Sequence, residues 1–165
     1  MAHAPVGYIT HRVLFPLAEK LGVRRRAFLF WAVFGAVAPD LDLLYFFLID
    51  HRQHPHHAYA SHWPLCWLLL ILLAALWFVR DRRRGALALV FALGGLLHMV
   101  LDTMAGDIRW LAPFSDQAYA LFHVQAVLQP WWLNFLVHPS FLLELLLVVL
   151  AFVLWWRARR ERSGE

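Results

Sequence analysis

The chain contains four long apolar segments, and they constrain its fold more than any other feature. They cover approximately residues 27–49, 64–79, 85–105 and 139–156. About 20 such residues in a helix span the roughly 30 Å hydrocarbon core of a bilayer. Because 62% of the 165 residues are hydrophobic and only 16% are charged, a soluble globular protein is excluded. The sequence therefore predicts an all-α, polytopic membrane helix bundle that forms a single integral membrane domain over residues 1–165.

The N-terminal residues 4–22 allow two interpretations. Their apolar residues recur at near-helical spacing, but charged residues such as Arg12 and Glu19 lie among them. One interpretation is an amphipathic helix in the membrane interface. The other is a fifth, short span, and we favour it because it raises His11 to the depth of the other polar groups described below. The predicted bundle thus has four to five transmembrane helices.

Arginines are concentrated in three blocks, which predict how the bundle is oriented. The blocks occupy residues 24–26, 80–84 and 157–162, and the order of the spans places all three on one side of the membrane. Basic residues mark the cytoplasmic side of membrane proteins. We therefore expect a protein of the bacterial or archaeal cytoplasmic (inner) membrane whose loop 50–63 and interfacial outer loop 106–138 face the periplasm or exterior. The net charge of +4 comes from these blocks, so no nucleic-acid partner is expected.

A few ionisable residues interrupt the apolar segments, and residues of this kind are costly in a membrane unless they are functional. At about 1.5 Å per helical residue, they lie between about 20 and 27 Å from the nearest arginine block. Different helices therefore place them in one layer below the outer surface. The residues of this layer are Asp40, Asp42, His62, His98, Asp102 and Glu144.

The spacing of these residues suits metal binding. His98 and Asp102 are four residues apart, so they share one helix face. Asp40 and Asp42 follow Pro39, which predicts a kinked helix, and their repulsion would be relieved by a divalent cation. Mixed histidine and carboxylate ligands favour Zn, with Mn or Fe as alternatives. Two simpler interpretations stay open: the His98–Asp102 pair as a polar contact, and Asp40 as a helix cap.

Histidines are unusually frequent in the loop between the first two apolar segments. An exposed interfacial loop is the simpler interpretation, and we prefer it for His54 and His56. Glu144, in the last segment, could instead pair with Arg109 or with a histidine. The histidines of the loop are His51, His54, His56, His57 and His62.

Several short motifs, taken in order, resemble one known family. They are Thr10-His11, Pro39-Asp40-Leu41-Asp42, Ser61-His62, Leu97-His98-Met99-Val100-Leu101-Asp102, residues 106–110 and Pro113-Phe114-Ser115. The chain is similar over most of residues 3–144 to the YdjM-like inner-membrane proteins, a family of membrane-bound, metal-dependent hydrolases. Many members carry a compact His-Arg-Gly-x-Thr-His-Ser motif, whereas this chain has the longer histidine-rich run 51–62. The resemblance implies a hydrolase without indicating its substrate.

These observations lead to one main hypothesis, an integral membrane metallohydrolase with an outward-facing site. A divalent cation would activate water by lowering its pKa toward neutrality. The buried depth favours a membrane lipid or lipid-linked phosphoester as substrate. The expected metal ligands are His11, Asp40, His57, His62, His98 and Asp102. The expected catalytic residues are Asp42, which could also support a ligand, Glu144 and His138, and the expected phosphate-binding residues are Arg52 and Arg109.

Two other functions use the same residues. In one, a structural metal ion staples the helices and the loops bind a partner, so the ion needs no open coordination position. In the other, the intramembrane Asp, His and Glu residues carry metal ions or protons across the membrane. A transporter would need polar groups that continue toward the arginine side, and the corresponding halves of the segments have almost none.

Overall fold

A computed structural model describes residues 2–122, 127–130 and 132–163, and it is helical in this part of the chain. No β-strand forms among these residues, although Ile108 and Tyr119 pair as an isolated antiparallel bridge. The all-α prediction is therefore confirmed for the described residues. The α-helices are α1 (His3–Glu19), α2 (Arg25–Val37), α3 (Asp42–Leu48), α4 (Pro64–Arg80), α5 (Arg82–Asp102), α6 (Trp132–Leu136) and α7 (Ser140–Ser163).

Helices α2 and α5 run in the same direction and form the centre of the bundle. Their backbones touch at glycines: a Cβ atom on Gly35 would lie 2.1 Å from the carbonyl oxygen of Phe91, and one on Gly94 would lie 2.6 Å from the amide nitrogen of Ala36. Small residues at such a crossing let two helices approach without side chains between them. This close approach brings the C-terminal half of α5 against the end of α2.

Helices α1 and α4 flank this pair and run in the opposite direction. A Cβ atom on Gly7 of α1 would lie 2.7 Å from the Cα atom of Val33, and one on Gly85 of α5 would lie 2.3 Å from the Cα atom of Phe78 in α4. Helix α7 packs against α1 and leaves most of its surface exposed. The bundle therefore has a closely packed centre and a peripheral last helix.

The first predicted segment is broken at Pro39. A short 3-10 turn over Pro39–Leu41 separates α2 from α3, and the two helices are bent by 60°. Proline cannot donate the hydrogen bond that a continuous helix needs, and its ring crowds the preceding turn. The predicted kink is therefore present, and it turns Asp40 and Asp42 away from the axis of α2.

The structure supports fewer membrane spans than the four to five predicted. Within the described residues, two helices are long and apolar enough to cross a membrane, Arg82–Asp102 and Ser140–Glu161. The bent pair of α2 and α3 makes a third if it counts as one span. The predicted span 64–79 forms α4, which has only 17 residues, and α1 also has 17 residues and includes charged ones. The break and these short lengths account for the difference.

The two ends of the bundle differ in character. Helices α2 and α5 begin at Arg25 and Arg82, and α4 ends at Arg80, so the first two arginine blocks lie together at what we call the arginine end. The N-terminus of α1, the C-terminus of α5 and the turn at Pro39 lie at the opposite end, which we call the polar end.

Candidate metal centre

His98 projects from the last turns of α5 and is completely buried. Its Nδ1–H donates a hydrogen bond of 2.8 Å to the carbonyl oxygen of Ala36, which the glycine crossing of α2 and α5 brings within reach. The Nε2 atom therefore points the other way. It lies 3.1 Å from Asp102 Oδ2 and 3.5 Å from Asp40 Oδ1, outside hydrogen-bond geometry. One ring nitrogen is thus fixed by the backbone, and the other faces two carboxylates.

His62 repeats this arrangement from the loop before α4. Its Nδ1–H donates to Asp42 Oδ2 over 2.6 Å, and the Ser61 hydroxyl donates to the same oxygen over 2.5 Å. Its Nε2 atom is buried without a hydrogen-bond partner among the described residues, 3.7 Å from Asp102 Oδ2 and 3.9 Å from Asp40 Oδ1. A carboxylate that orients an imidazole in this way is common behind metal-binding histidines.

Trp67 holds the loop that carries His62. Its indole N–H donates to the carbonyl oxygen of Ser61 over 2.7 Å. Its ring packs on Gly95 of α5, where a Cβ atom would lie 2.1 Å from the ring. Since only glycine leaves room for the indole at this position, Gly95 helps to set the position of His62 over α5.

Asp102, the last residue of α5, is the centre of the cluster. Its Oδ2 lies 3.1 Å from His98 Nε2, 3.6 Å from His57 Nε2 and 3.7 Å from His62 Nε2. Its Oδ1 lies 3.2 Å from Nε2 of His3, whose ring stacks on that of His98 with centroids 3.7 Å apart. Four imidazoles from different parts of the chain therefore surround one carboxylate.

His56 and His57 reach the cluster from a short 3-10 turn in the loop. The His57 ring packs over Gly106, where a Cβ atom would lie 2.7 Å from the ring. The ring centroids of His56 and His57 are 4.1 Å apart. Burial, reinforced by the neighbouring His56, lowers the pKa of His57 to about 4. The His57 imidazole is therefore neutral near pH 7 and has a free lone pair.

The ligand atoms of these side chains are close enough to share a cation. In three groups they all lie within 4.8 Å of one another. Nitrogen and carboxylate oxygen are the ligands that Zn, Mn and Fe accept, so the residues fit such an ion. The groups are His56, His57 and His62; His3, Asp40 and His98; and His62, His98 and Asp102.

His11 does not join the cluster, contrary to our expectation. It is buried among the rings of Tyr8, Phe15 and Phe28, and none of the three groups includes it. The reason is the pitch of α1: eight residues separate His11 from His3, about 12 Å along a helix. His3 occupies the place that we assigned to His11.

Four other predicted residues have different surroundings. Glu144 lines a cavity of about 20 Å³ together with His3 and Asp102, so it is next to the cluster. His138 Nδ1 interacts with Ser140 at the start of α7. Arg109 donates to Asp116, and Arg52 lies over the ring of Phe47. No described contact brings His138, Arg52 or Arg109 to the cluster.

The comparison with known proteins agrees with the helical, apolar structure. A family model described as the YdjM inner membrane protein matches residues 2–162. The chain belongs to the YdjM inner membrane protein family. This match and the apolar helices establish a membrane protein, and the description of the YdjM family names no reaction. No curated protein and no solved structure matches the chain.

His3 and His56 were not among the residues that we expected at this site of the YdjM family protein. At about 1.5 Å per helical residue, His11 lies about 17 Å from Gly22, whereas His3 lies about 29 Å from Gly22, near the level of Asp102. That signal was available in the sequence. The loop geometry that turns His56 inward has no comparable signal, because it depends on contacts with His62 and α3. His54, which we expected to be exposed, does lie at the surface and pairs with Asp50.

Proposed function

We propose that this protein is an integral membrane, metal-dependent hydrolase that cleaves a phosphoester of a lipid or lipid-linked substrate. One observation carries the proposal. His62 and His98 each commit Nδ1 to a protein acceptor and direct a buried Nε2 toward the carboxylates of Asp40 and Asp102. Such a pairing of lone pair and carboxylate is stable only with a positive charge between the two groups.

That charge can be supplied by protons or by a metal ion, and the surroundings favour a metal ion. If protons alone supplied it, several imidazolium groups would crowd around Asp102 and repel one another. The low pKa of His57, which burial produces, already opposes protonation on that side of the cluster. A divalent cation satisfies all the ligands without adding like charges, and Zn fits the mixed donor set best.

The ligands can be divided between two ions. The group of His3, Asp40 and His98 shares no residue with the group of His56, His57 and His62, and Asp102 lies within 3.7 Å of a histidine from each. We therefore propose that each group would hold one ion, with Asp102 available as a ligand to either.

Accessibility favours catalysis over a purely structural ion. His62 and His98 are fully buried, but the side chains of Asp40, His56 and His57 are 34%, 31% and 22% exposed. Structural sites are usually closed by four protein ligands, whereas catalytic sites keep one position open. A cation here would supply Lewis acidity toward water and a phosphoryl oxygen. Glu144, beside His3 and Asp102, is the proposed base or ligand-orienting group.

The location of the cluster suggests the substrate. It lies at the polar end, opposite the arginine blocks, and the positive-inside tendency would place this end toward the periplasm or exterior. Exposed apolar side chains on α3 and α4 surround the bundle near this end, which favours a lipid-linked substrate. We propose that α1 and α4, although shorter than the two or three candidate spans described above, also cross a thin part of the membrane, since each lies antiparallel to a central helix. Seventeen residues, about 25 Å of helix, suffice for a thin span.

Elemental analysis and a phosphatase assay on detergent-purified protein test the proposal together. We expect about two Zn per chain and phosphate release from a short-chain phosphatidic acid. His98→Ala should retain only about one Zn per chain, because the group of His56, His57 and His62 is intact, and should lose at least tenfold in activity. His54→Ala is the matched control, because His54 is exposed and outside the three groups. A His98→Ala protein with full metal content and activity would refute the proposal. Metal-dependent thermal stability without any phosphatase activity would instead identify a structural ion.

A further inference from the structure

A second polar feature lies at the arginine end, far from the histidine cluster. A cleft of about 440 Å³ opens between the start of α2 and the junction of α4 and α5, and it is lined by Arg24, Arg83, Arg84 and Asp81. Asp81 accepts hydrogen bonds from the backbone amides of Arg83 and Arg84, and its other oxygen lies 3.6 Å from Arg84 Nε. The lining therefore carries three arginines and one carboxylate, a net positive charge.

The positive charge of the cleft is available to a ligand. The pair of Arg84 and Asp81 is solvent-exposed, so it contributes little and can be exchanged for another anion. No ion pair involves Arg24 or Arg83 within the described ranges 2–122, 127–130 and 132–163. Arginine presents a planar fork of N–H groups that matches a phosphate.

An apolar groove continues from the cleft along the bundle. It has a volume of about 350 Å³, shares Arg84 and Leu87 with the cleft, and is otherwise lined by Trp31, Trp77, Ala88 and Phe91. Tryptophan concentrates where the hydrocarbon core meets the headgroups. The two tryptophans therefore place the junction of groove and cleft at the membrane interface.

We propose that this cleft and groove bind one anionic phospholipid of the leaflet at the arginine end. Its phosphate would lie among Arg24, Arg83 and Arg84, and one acyl chain would lie in the groove between Trp31 and Trp77. Basic pockets between membrane helices on the cytoplasmic side have this combination of features. A soluble anion would use the arginines alone and leave the adjoining groove unused, so the continuity of the two cavities favours a lipid.

Native mass spectrometry of delipidated, full-length protein tests this inference with dioleoyl phosphatidylglycerol and dioleoyl phosphatidylcholine in competition. We expect the wild-type protein to prefer the anionic lipid. An arginine near an anionic membrane surface is worth about fivefold in affinity, so Arg24→Gln/Arg83→Gln should bind phosphatidylglycerol about 25-fold more weakly. Arg157→Gln/Arg160→Gln removes the same charge from α7, outside the cleft, and should change this affinity less than twofold.

Two further arms separate a lipid from other occupants. Ala88→Trp fills the groove and should weaken phosphatidylglycerol binding at least fivefold with all arginines present. Millimolar inorganic phosphate should not displace the lipid. The inference is overturned if the wild-type protein shows no preference between the lipids, if the α7 control loses as much affinity as the cleft variant, if Ala88→Trp has no effect, or if free phosphate competes.

Discussion

The proposal makes Asp42 a supporting residue whose substitution should weaken metal binding without removing a ligand. Asp42 Oδ2 accepts from His62 Nδ1 and from the Ser61 hydroxyl, over 2.6 and 2.5 Å. Asp42→Asn keeps the shape and one acceptor oxygen but removes the negative charge. The His62 ring then loses a partner that fixes its orientation and makes its Nε2 a stronger donor to a metal.

The size of the effect follows from the hydrogen bond to His62, since the bond from Ser61 touches no ligand. A hydrogen bond to a charged group contributes about 1 kcal/mol more than a neutral one, which is about fivefold in zinc affinity if the difference is felt only in the zinc-bound state. The looser orientation of the ring adds to this loss. Residues that support metal ligands typically contribute 10- to 100-fold, so we expect about tenfold for Asp42→Asn. Saturating zinc should still fill the variant, because all of its ligands remain.

Asp50→Asn provides the matched control for this experiment. Asp50 Oδ1 lies 2.8 Å from Nδ1 of His54, so the chemistry of the pair is the same, but His54 is exposed and outside the three ligand groups. Competition with a chromogenic zinc chelator in detergent measures the dissociation constant of each variant. We expect less than a twofold change for Asp50→Asn. Equal affinities for Asp42→Asn and wild type, or equal losses in the two variants, would refute the reasoning.

Three further predictions concern other parts of the cluster. His3→Ala should lower bound zinc from about two to about one per chain, as measured by elemental analysis after dialysis, whereas His11→Ala should not. The reverse result would restore His11 as the ligand. Gly95→Ala should displace the Trp67 ring, which lowers the free energy of unfolding by about 1–3 kcal/mol and also weakens zinc binding. Unchanged thermal stability would contradict the close contact between Gly95 and Trp67. In the zinc-free protein the pKa of His57 is about 4, below its value of about 6.5 in the unfolded chain. Because the unfolded chain then binds more protons, the free energy of unfolding should rise as the pH is raised from 4 to 6.5. An NMR titration of His57 with a midpoint near 6.5 would refute this prediction.

The part of the site on α5 could be predicted from the sequence. His98 and Asp102 are four residues apart in a long apolar helix, and helical pitch alone places them on one face. The break at Pro39 was predictable for a similar reason, since proline interrupts the hydrogen bonds of any helix. Depth counting then brought Asp40 to the level of His98, because both helices start from an arginine block.

The remaining geometry depends on contacts that periodicity does not describe. The position of His62 depends on Trp67, which packs against a glycine of a different helix. The register of α1 depends on Gly7, whose approach to α2 puts His3 rather than His11 at the polar end. In both cases a residue without a side chain determines where an imidazole lies. The depth of His3 could have been counted along α1, but the contact that positions His62 leaves no signal in the spacing of polar residues.

The charges of the cluster connect the proposed ion count with the proposed substrate. Asp40, Asp42 and Asp102 carry three negative charges when ionised, and neutral imidazoles add none. One divalent cation would leave the cluster negative, so it would repel a phosphate group. Two would cancel these charges together with that of the adjacent Glu144, so the cluster would no longer repel an approaching phosphoester in an environment of low dielectric constant. The proposed phosphoesterase therefore requires the two-ion form, whereas a structural role would be satisfied by a single ion.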